Sequence, residues 1–305
     1  MEARMTIREA LLQASSLLTD NGVEDGRHEA ELLLLSLLGW ERSRLLLDGG
    51  ELFATTLHSR WEAMLARRCA GEPVQYIIGE QEFYGLPFEV NPAVLIPRPE
   101  TELLVEAVVK RVQELWGSDG IEAELDKSAA RPKQQFLLAD IGTGSGAIAV
   151  TLAVKLPEWR VASCDISPDA LTVAQRNAVR NRVADRITFH QGNLLEPLLR
   201  QGKQVHVLVS NPPYIESDVI AGLQREVRDH EPRLALDGGA DGLDFYREIV
   251  KQTSQLSESP RLIGLEVGQG QAPAVAELLM QAALWTQTEI VTDYSGIERH
   301  VLAWR

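Results

Sequence analysis

The stretch Leu137–Ala153, "LLADIGTGSGAIAVTLA", decides the fold. An apolar strand runs through Asp140 and Ile141 into Gly142-Thr143-Gly144-Ser145-Gly146, and an apolar helix follows. Glycines at alternate positions let the backbone turn tightly and approach a ligand, and the helix beyond them presents unpaired N–H groups. The segment therefore reads as a strand–loop–helix unit built for a nucleotide-like ligand. Its spacing departs from the Gly-x-Gly-x-x-Gly of dinucleotide sites, and no Gly-Lys-Ser/Thr follows, so neither an NAD fold nor a P-loop fits best. Asp140 at the strand end adds an acceptor for a cationic group; the competing reading is an Asp that only stabilises the turn.

Outward from this unit, strands and helices alternate. Strands are predicted at "FLLADIG", "RVASCDI", "RITFHQGN", "VHVLVSN", "RLIGLEVG", "TEIVTDY" and "RHVLAWR", with helices after most of them. That order implies an α/β, doubly wound, mainly parallel sheet over residues 93–305. Residues 1–73 carry only helical spacing, with Thr6 as a cap, Gly39 as a stop and Arg67 and Arg68 at a helix end, and read as a small all-α domain. Between them, residues 74–92, "VQYIIGEQEFYGLPFEVNP", alternate aromatic and β-branched residues around Gly79 and Gly85 as a β-hairpin connector would. The polar stretch 117–135 reads as a surface loop or insertion.

Composition limits the partners. The net charge of −14 gives no broad basic face, which disfavours a nucleic-acid substrate. Cys69 and Cys164 are the only cysteines, without metal or disulfide spacing, which fits a reducing cytoplasm. No run approaches the roughly 20 apolar residues that span a bilayer, and the first residues lack a signal-peptide pattern, so no membrane association is expected.

Three further segments gather at the ends of the predicted strands. Asp165 in "SCDISPDAL" lies about 20 residues past the glycine loop, where an acid can accept both ribose hydroxyls. Asn193 and Leu194 follow the third strand, near the adenine edge of such a pocket. The fourth strand ends in Asn211-Pro212-Pro213-Tyr214. Asn211 Oδ1 and the Pro212 carbonyl offer two acceptors for a planar nitrogen, the prolines fix φ and remove donors, and Tyr214 offers a face for stacking. The tetrapeptide leaves open whether it holds an amide or a base.

"DIGTGSGAIAV", "SNPPYI" and Asp165 resemble the class I S-adenosylmethionine-dependent methyltransferases that act on amide or exocyclic nitrogens. The helical N-terminus, "LIPRPETELLVE", "EPRLALDGGADGLDFYREIV" and "DYSGIERHVLAWR" are similar to one branch, the release-factor glutamine methyltransferases, over nearly the whole chain. The resemblance implies a Rossmann-like seven-stranded sheet and methyl transfer from S-adenosylmethionine to the glutamine amide nitrogen in the Gly-Gly-Gln motif of class I peptide-chain release factors. It implies a cofactor site at Asp140, Gly142, Thr143, Gly144, Ser145, Gly146, Asp165, Asn193, Leu194 and Asn211, with S-adenosylhomocysteine as product. Leu194 stands where the family often has a bulkier aromatic, and Asn193 where an Asp is usual. The substrate amide falls to Asn211, Pro212, Pro213 and Tyr214, with Arg98 and Glu100 of "IPRPET" in a loop closing over the site and pairing with each other or with loop backbone. Residues 1–73 become a substrate-recognition domain, and a cytoplasmic monomer is expected. The alternative is an N-methyltransferase acting on adenine in DNA or RNA. Asp237, Asp241 and Asp244 lie among glycines without metal-site spacing and read as loop caps; no metal is expected.

Overall fold

Strand β3 (Leu137–Ile141) lies between β4 (Arg160–Asp165) and β6 (Val207–Ser210) in the computed structural model, with parallel pairing on both sides. The structure describes residues 5–117 and 136–305; most of the predicted 117–135 insertion lies outside them. Two units divide the chain: residues 1–80 with 224–230, and residues 81–223 with 231–305.

In the first unit, α1 (Ile7–Asp20) begins at a reciprocal capping box between Thr6 and Glu9. Helix α2 (Gly26–Leu38) ends at left-handed Gly39, as the sequence indicates. Helices α3 (Arg42–Asp48) and α4 (His58–Cys69) follow, and Ile7, Leu18, Leu33, Leu34 and Trp61 are among the residues of the shared core. Residues Val74–Ile78, expected in the hairpin, instead form the short helix α5: Val74, Tyr76 and Ile77 are buried and Gly79 closes the turn at φ 85°. Alternating bulky residues suit one helical turn as well as a strand when the segment is this short. A late helix, α10 (Arg225–His230), belongs to this unit, and buried Arg68 pairs with both Glu29 and Glu226.

In the second unit, the hairpin of β1 (Glu80–Phe83) and β2 (Leu86–Glu89) buries Phe83 and Phe88. Helix α6 (Pro99–Trp116) precedes the sheet. The other strands are β5 (Ile187–Gln191), β7 (Leu262–Glu266), β8 (Gln287–Thr292) and β9 (Glu298–Trp304), giving the order β5-β4-β3-β6-β7-β9-β8. β9 runs antiparallel to both neighbours; the other pairings are parallel. All seven predicted strands are present. Strand residues of alternate parity feed two cores: Leu138, Val207, Val209 and Leu262 meet α6, α7 (Ala147–Lys155) and α8 (Pro168–Arg180), while Ala139, Ile141, Leu208 and Ile263 meet α9 (Glu196–Gln201), α11 (Asp244–Thr253) and α12 (Ala272–Gln281). The chain reverses its direction of winding between β3 and β6, so their carboxyl ends open a crevice where ligands bind in such sheets. Among the described residues, no helix is long and apolar enough to cross a membrane.

Candidate active site

A cavity occupies that crevice, lined by the glycine loop, Asp165, Asn193, Leu194, Asn211, Pro212, Pro213, Arg98 and Thr101, among others. Ile141 at the end of β3 stands opposite Ser210 at the end of β6, and Ser210 Oγ donates to the Ile141 carbonyl at 2.6 Å. That bond ties the glycine loop to the start of Asn211–Tyr214.

The loop itself is set by backbone geometry. Gly142 and Gly144 have φ of 72° and 54°, and a Cβ at either position would meet no protein atom within 4 Å. These two positions leave room for a ligand to approach the main chain. Gly146, at φ 82°, serves helix packing instead, since a Cβ there would come within 3.1 Å of Ala174 Cβ; its absence lets α7 and α8 approach closely. Both carboxylates at the strand ends hold the loop. Asp165 Oδ2 accepts from Gly144 N–H at 2.8 Å and Oδ1 from Ser167 N–H at 2.9 Å. Burial pushes its pKa up, and those N–H groups oppose the shift.

Asp140 lies behind the loop, fully buried and outside the cavity lining. Its Oδ2 accepts from Thr143 Oγ1 at 2.5 Å and Ala149 N–H at 3.1 Å, while burial raises its pKa to about 7. Asp140 thus stabilises the turn through Oδ2, while its Oδ1 has no hydrogen-bond partner among the described residues and is left for the expected cationic ligand group. The pleat explains the turn contact: Leu138 and Asp140 share the face covered by α7.

Asn177, buried on α8, joins loop and hairpin. Its Nδ2 donates to the Ser145 carbonyl at 2.8 Å and the Glu89 carbonyl at 3.0 Å, and its Oδ1 accepts from Glu89 N–H at 2.7 Å. Leu194 faces the cavity at φ 52°, a left-handed conformation uncommon for a leucine.

The Asn211–Tyr214 segment is clamped from the glycine-rich turn. Ile215 N–H donates to the Leu236 carbonyl at 3.0 Å, and Gly238 N–H donates to the Ile215 carbonyl at 2.8 Å. A Cβ on Gly238 would sit 2.7 Å from Tyr214 Cα, and one on Gly242 2.4 Å from the Tyr214 carbonyl oxygen, so these glycines permit direct backbone contact. Gln271 Nε2 donates to that same carbonyl at 2.9 Å. The acids of the turn cap it: Asp237 Oδ1 accepts from Ser217 Oγ at 2.5 Å and Gly239 N–H at 3.2 Å, and Asp241 pairs with Arg247. Among the described residues no group of three or more His, Cys, Asp or Glu could hold a metal.

Tyr214, expected to offer a stacking face, is partly buried and follows cavity-lining Pro213; its Cδ2 lies against Gly268, its Oη is 3.5 Å from Glu266 Oε1, and burial holds its pKa well above the usual range. One sequence expectation is corrected here. Arg98 does line the cavity, but it pairs with buried Glu231 rather than Glu100, and Glu231 Oε2 also accepts from Ile96 N–H at 3.2 Å. Glu100 is exposed in the first turn of α6, between cavity-lining Arg98 and Thr101, and is not itself among the lining residues.

Sequence reading passes over Thr101 and Glu266. Thr101 Oγ1 donates to Glu266 Oε2 at 2.6 Å and accepts from Asn211 Nδ2 at 3.3 Å. Burial raises the Glu266 pKa to about 7 and lowers that of neighbouring His300 to about 4. The available signal is a carboxylate closing the apolar strand "RLIGLE" at the end of the sheet where sites form.

Comparison with known proteins supplies the family. A family model described as the PrmC N-terminal domain matches residues 9–79, and one described as the methyltransferase small domain matches residues 123–238. Among solved structures, the hMettl16 catalytic domain in complex with MAT2A 3′UTR hairpin 6 superposes with a TM-score of 0.54 at 18% identity, covering 79% of this chain and 81% of that one; this likeness concerns the fold alone. Release factor glutamine methyltransferase of Bacillus subtilis is 40% identical over 98% of this chain and 97% of its own length. That of Moorella thermoacetica is 44% identical over 99% of both. The cavity has what an S-adenosylmethionine site needs, main chain open to a ligand at Gly142 and Gly144 and a carboxylate at Asp165; with relatives this similar over their full length, the chain belongs to the release factor glutamine methyltransferase family and is an S-adenosylmethionine-dependent methyltransferase.

Proposed function

We propose that this enzyme methylates the side-chain amide nitrogen of the glutamine in the Gly-Gly-Gln motif of class I peptide-chain release factors, acting in the cytoplasm as a monomer. The observation that carries the reading is Asn211: it lines the cavity beside the glycine loop, and the atom the protein holds is its Nδ2. Its Oδ1 and the Pro212 carbonyl are then the acceptors for the N–H groups of a glutamine amide. Pro212 and Pro213 carry no N–H, so neither competes for those carbonyls. Tyr214 anchors the far end of the segment through the backbone contacts from Gly238, Gly242 and Gln271.

S-adenosylmethionine, when bound, supplies a methyl group on a sulfonium centre. Gly142, Thr143, Gly144 and Ser145 would border it, with Asp165 and Asn193 providing polar groups and Leu194 an apolar side chain from neighbouring strand ends. Asn211 and the Pro212 carbonyl would hold the substrate nitrogen in line with that methyl group, and the proton it gives up would pass to solvent. Orientation is the protein's main contribution. Asn211 adds an acceptor whose hydrogen bond strengthens as the nitrogen gains positive charge. Arg98 contributes by its pairing with Glu231, which fixes the 95–98 loop at the cavity wall; Glu100 is assigned no contact.

We assign recognition of the protein substrate to residues 1–73, which fall within or beside the matched N-terminal family domain. The test is to incubate the enzyme with methyl-labelled S-adenosylmethionine and either a class I release factor or duplex DNA. Label in the release factor alone supports the reading. Label in DNA alone would replace it with adenine N-methylation.

A further inference from the structure

Glu266 touches both ends of the Asn211–Tyr214 segment. Its Oε2 accepts from Thr101 Oγ1 at 2.6 Å, and Thr101 Oγ1 in turn lies 3.3 Å from Asn211 Nδ2; its Oε1 lies 3.5 Å from Tyr214 Oη. The carboxylate rests on a fixed support. Glu266 is the last residue of β7, is 2% exposed, and its carbonyl accepts from Tyr246 Oη at 2.8 Å.

The proton count gives this chain of contacts a direction. A threonine hydroxyl has one proton; with Glu266 ionised, as it is above about pH 7, that proton goes to the carboxylate and only lone pairs are left facing Asn211. Asn211 must therefore turn its NH₂ toward Thr101. An asparagine side chain left alone has a broad, roughly two-fold terminal torsion, so its amide oxygen and nitrogen exchange places at little cost. With Thr101 in place, the flipped amide would set oxygen against oxygen with no proton between them.

We propose that Thr101 and Glu266 are positioning residues that fix the orientation of the Asn211 amide, so that Oδ1 and not Nδ2 is presented to the nitrogen being methylated. The catalytic contact belongs to Asn211; Thr101 and Glu266 act through it. This inference rests on the reading of Asn211 as the acceptor for a substrate N–H.

The test uses Thr101→Val, which keeps the shape and removes the hydroxyl, and Thr101→Ser, which keeps the hydroxyl. Turnover is followed as S-adenosylhomocysteine released in the presence of a class I release factor. Thr101→Val is expected to lower kcat about 10- to 100-fold while KM for the release factor and calorimetric affinity for S-adenosylmethionine stay within about threefold, and Thr101→Ser to recover most of the loss. Added to Asn211→Ala, Thr101→Val should cost nothing more, because the group it positions is gone. A folded Thr101→Val enzyme with parental kcat, or the same further loss in the Asn211→Ala background, would overturn the inference.

A second readout separates this inference from the choice of substrate. The Asn211 side-chain amide resonances of the full chain should shift in Thr101→Val and return in Thr101→Ser. If they do so in an enzyme that methylates no release factor, the positioning role stands and the glutamine reading falls. If they do not move, the positioning role falls whatever the substrate.

Discussion

Gly144 N–H donates to Asp165 Oδ2 at 2.8 Å, so the acid at the end of β4 holds the loop at the end of β3. One side chain thus borders the cavity and shapes the opposite wall. We predict that Asp165→Ala weakens S-adenosylmethionine binding about 10- to 100-fold, the loss of a hydrogen bond to a charged group worth about 1.5–3 kcal/mol. Calorimetry of the folded variant checks this, and unchanged affinity would remove Asp165 from the cofactor site.

A second prediction concerns the clamp on Asn211–Tyr214. A Cβ at Gly238 would lie 2.7 Å from Tyr214 Cα and 2.9 Å from the Pro213 carbonyl oxygen, so backbone must shift to admit it. Gly238→Ala is expected to lower kcat about 100-fold through misplacement of the segment, with little effect on cofactor affinity. Parental turnover in this variant would show that the clamp is not needed for chemistry.

The sequence makes the scaffold of this site legible, and the reason is local. Leu137–Ile141, the glycine loop and Asn211–Tyr214 each carry their signal within one short segment. The turn contact of Asp140 is not legible, because its partner, Ala149 N–H, is set by the pleat of β3 and the fit of α7, neither of which spacing reveals. Arg98 finds Glu231 across 133 positions, and Thr101 finds Glu266 across 165, so those pairs exist only once the sheet is assembled. Val74–Ile78 departs from expectation for the opposite reason: five residues are too few for their periodicity to choose between helix and strand.

Glu266 also makes a pH prediction. It is faced by Thr101 and Glu100 from α6, Asn211 and Tyr214 after β6, Tyr246 from α11, and Arg299 and His300 from β9, and burial dominates, raising its pKa from 4.5 to about 7. The folded chain therefore keeps a proton that the unfolded chain releases near pH 4.5. Stability from this group is intact below that pH and is lost as pH rises through about 7, by on the order of 3 kcal/mol. In Glu266→Gln that loss is absent, so the Tm of the variant minus that of the parent should increase from about pH 5 to about pH 8. A pH-independent difference would contradict it.

The central claim is that Asn211 holds a glutamine amide at the methyl donor. Its most direct test is mass spectrometry of the Gly-Gly-Gln peptide cut from a class I release factor after incubation with S-adenosylmethionine and either the parent enzyme or Asn211→Ala. The parent should add one methyl group, located by fragmentation on the glutamine side chain, and the variant should add it about 100- to 1,000-fold more slowly while still binding cofactor. An unmodified glutamine with the parent enzyme, or equal rates for the two, would contradict the account.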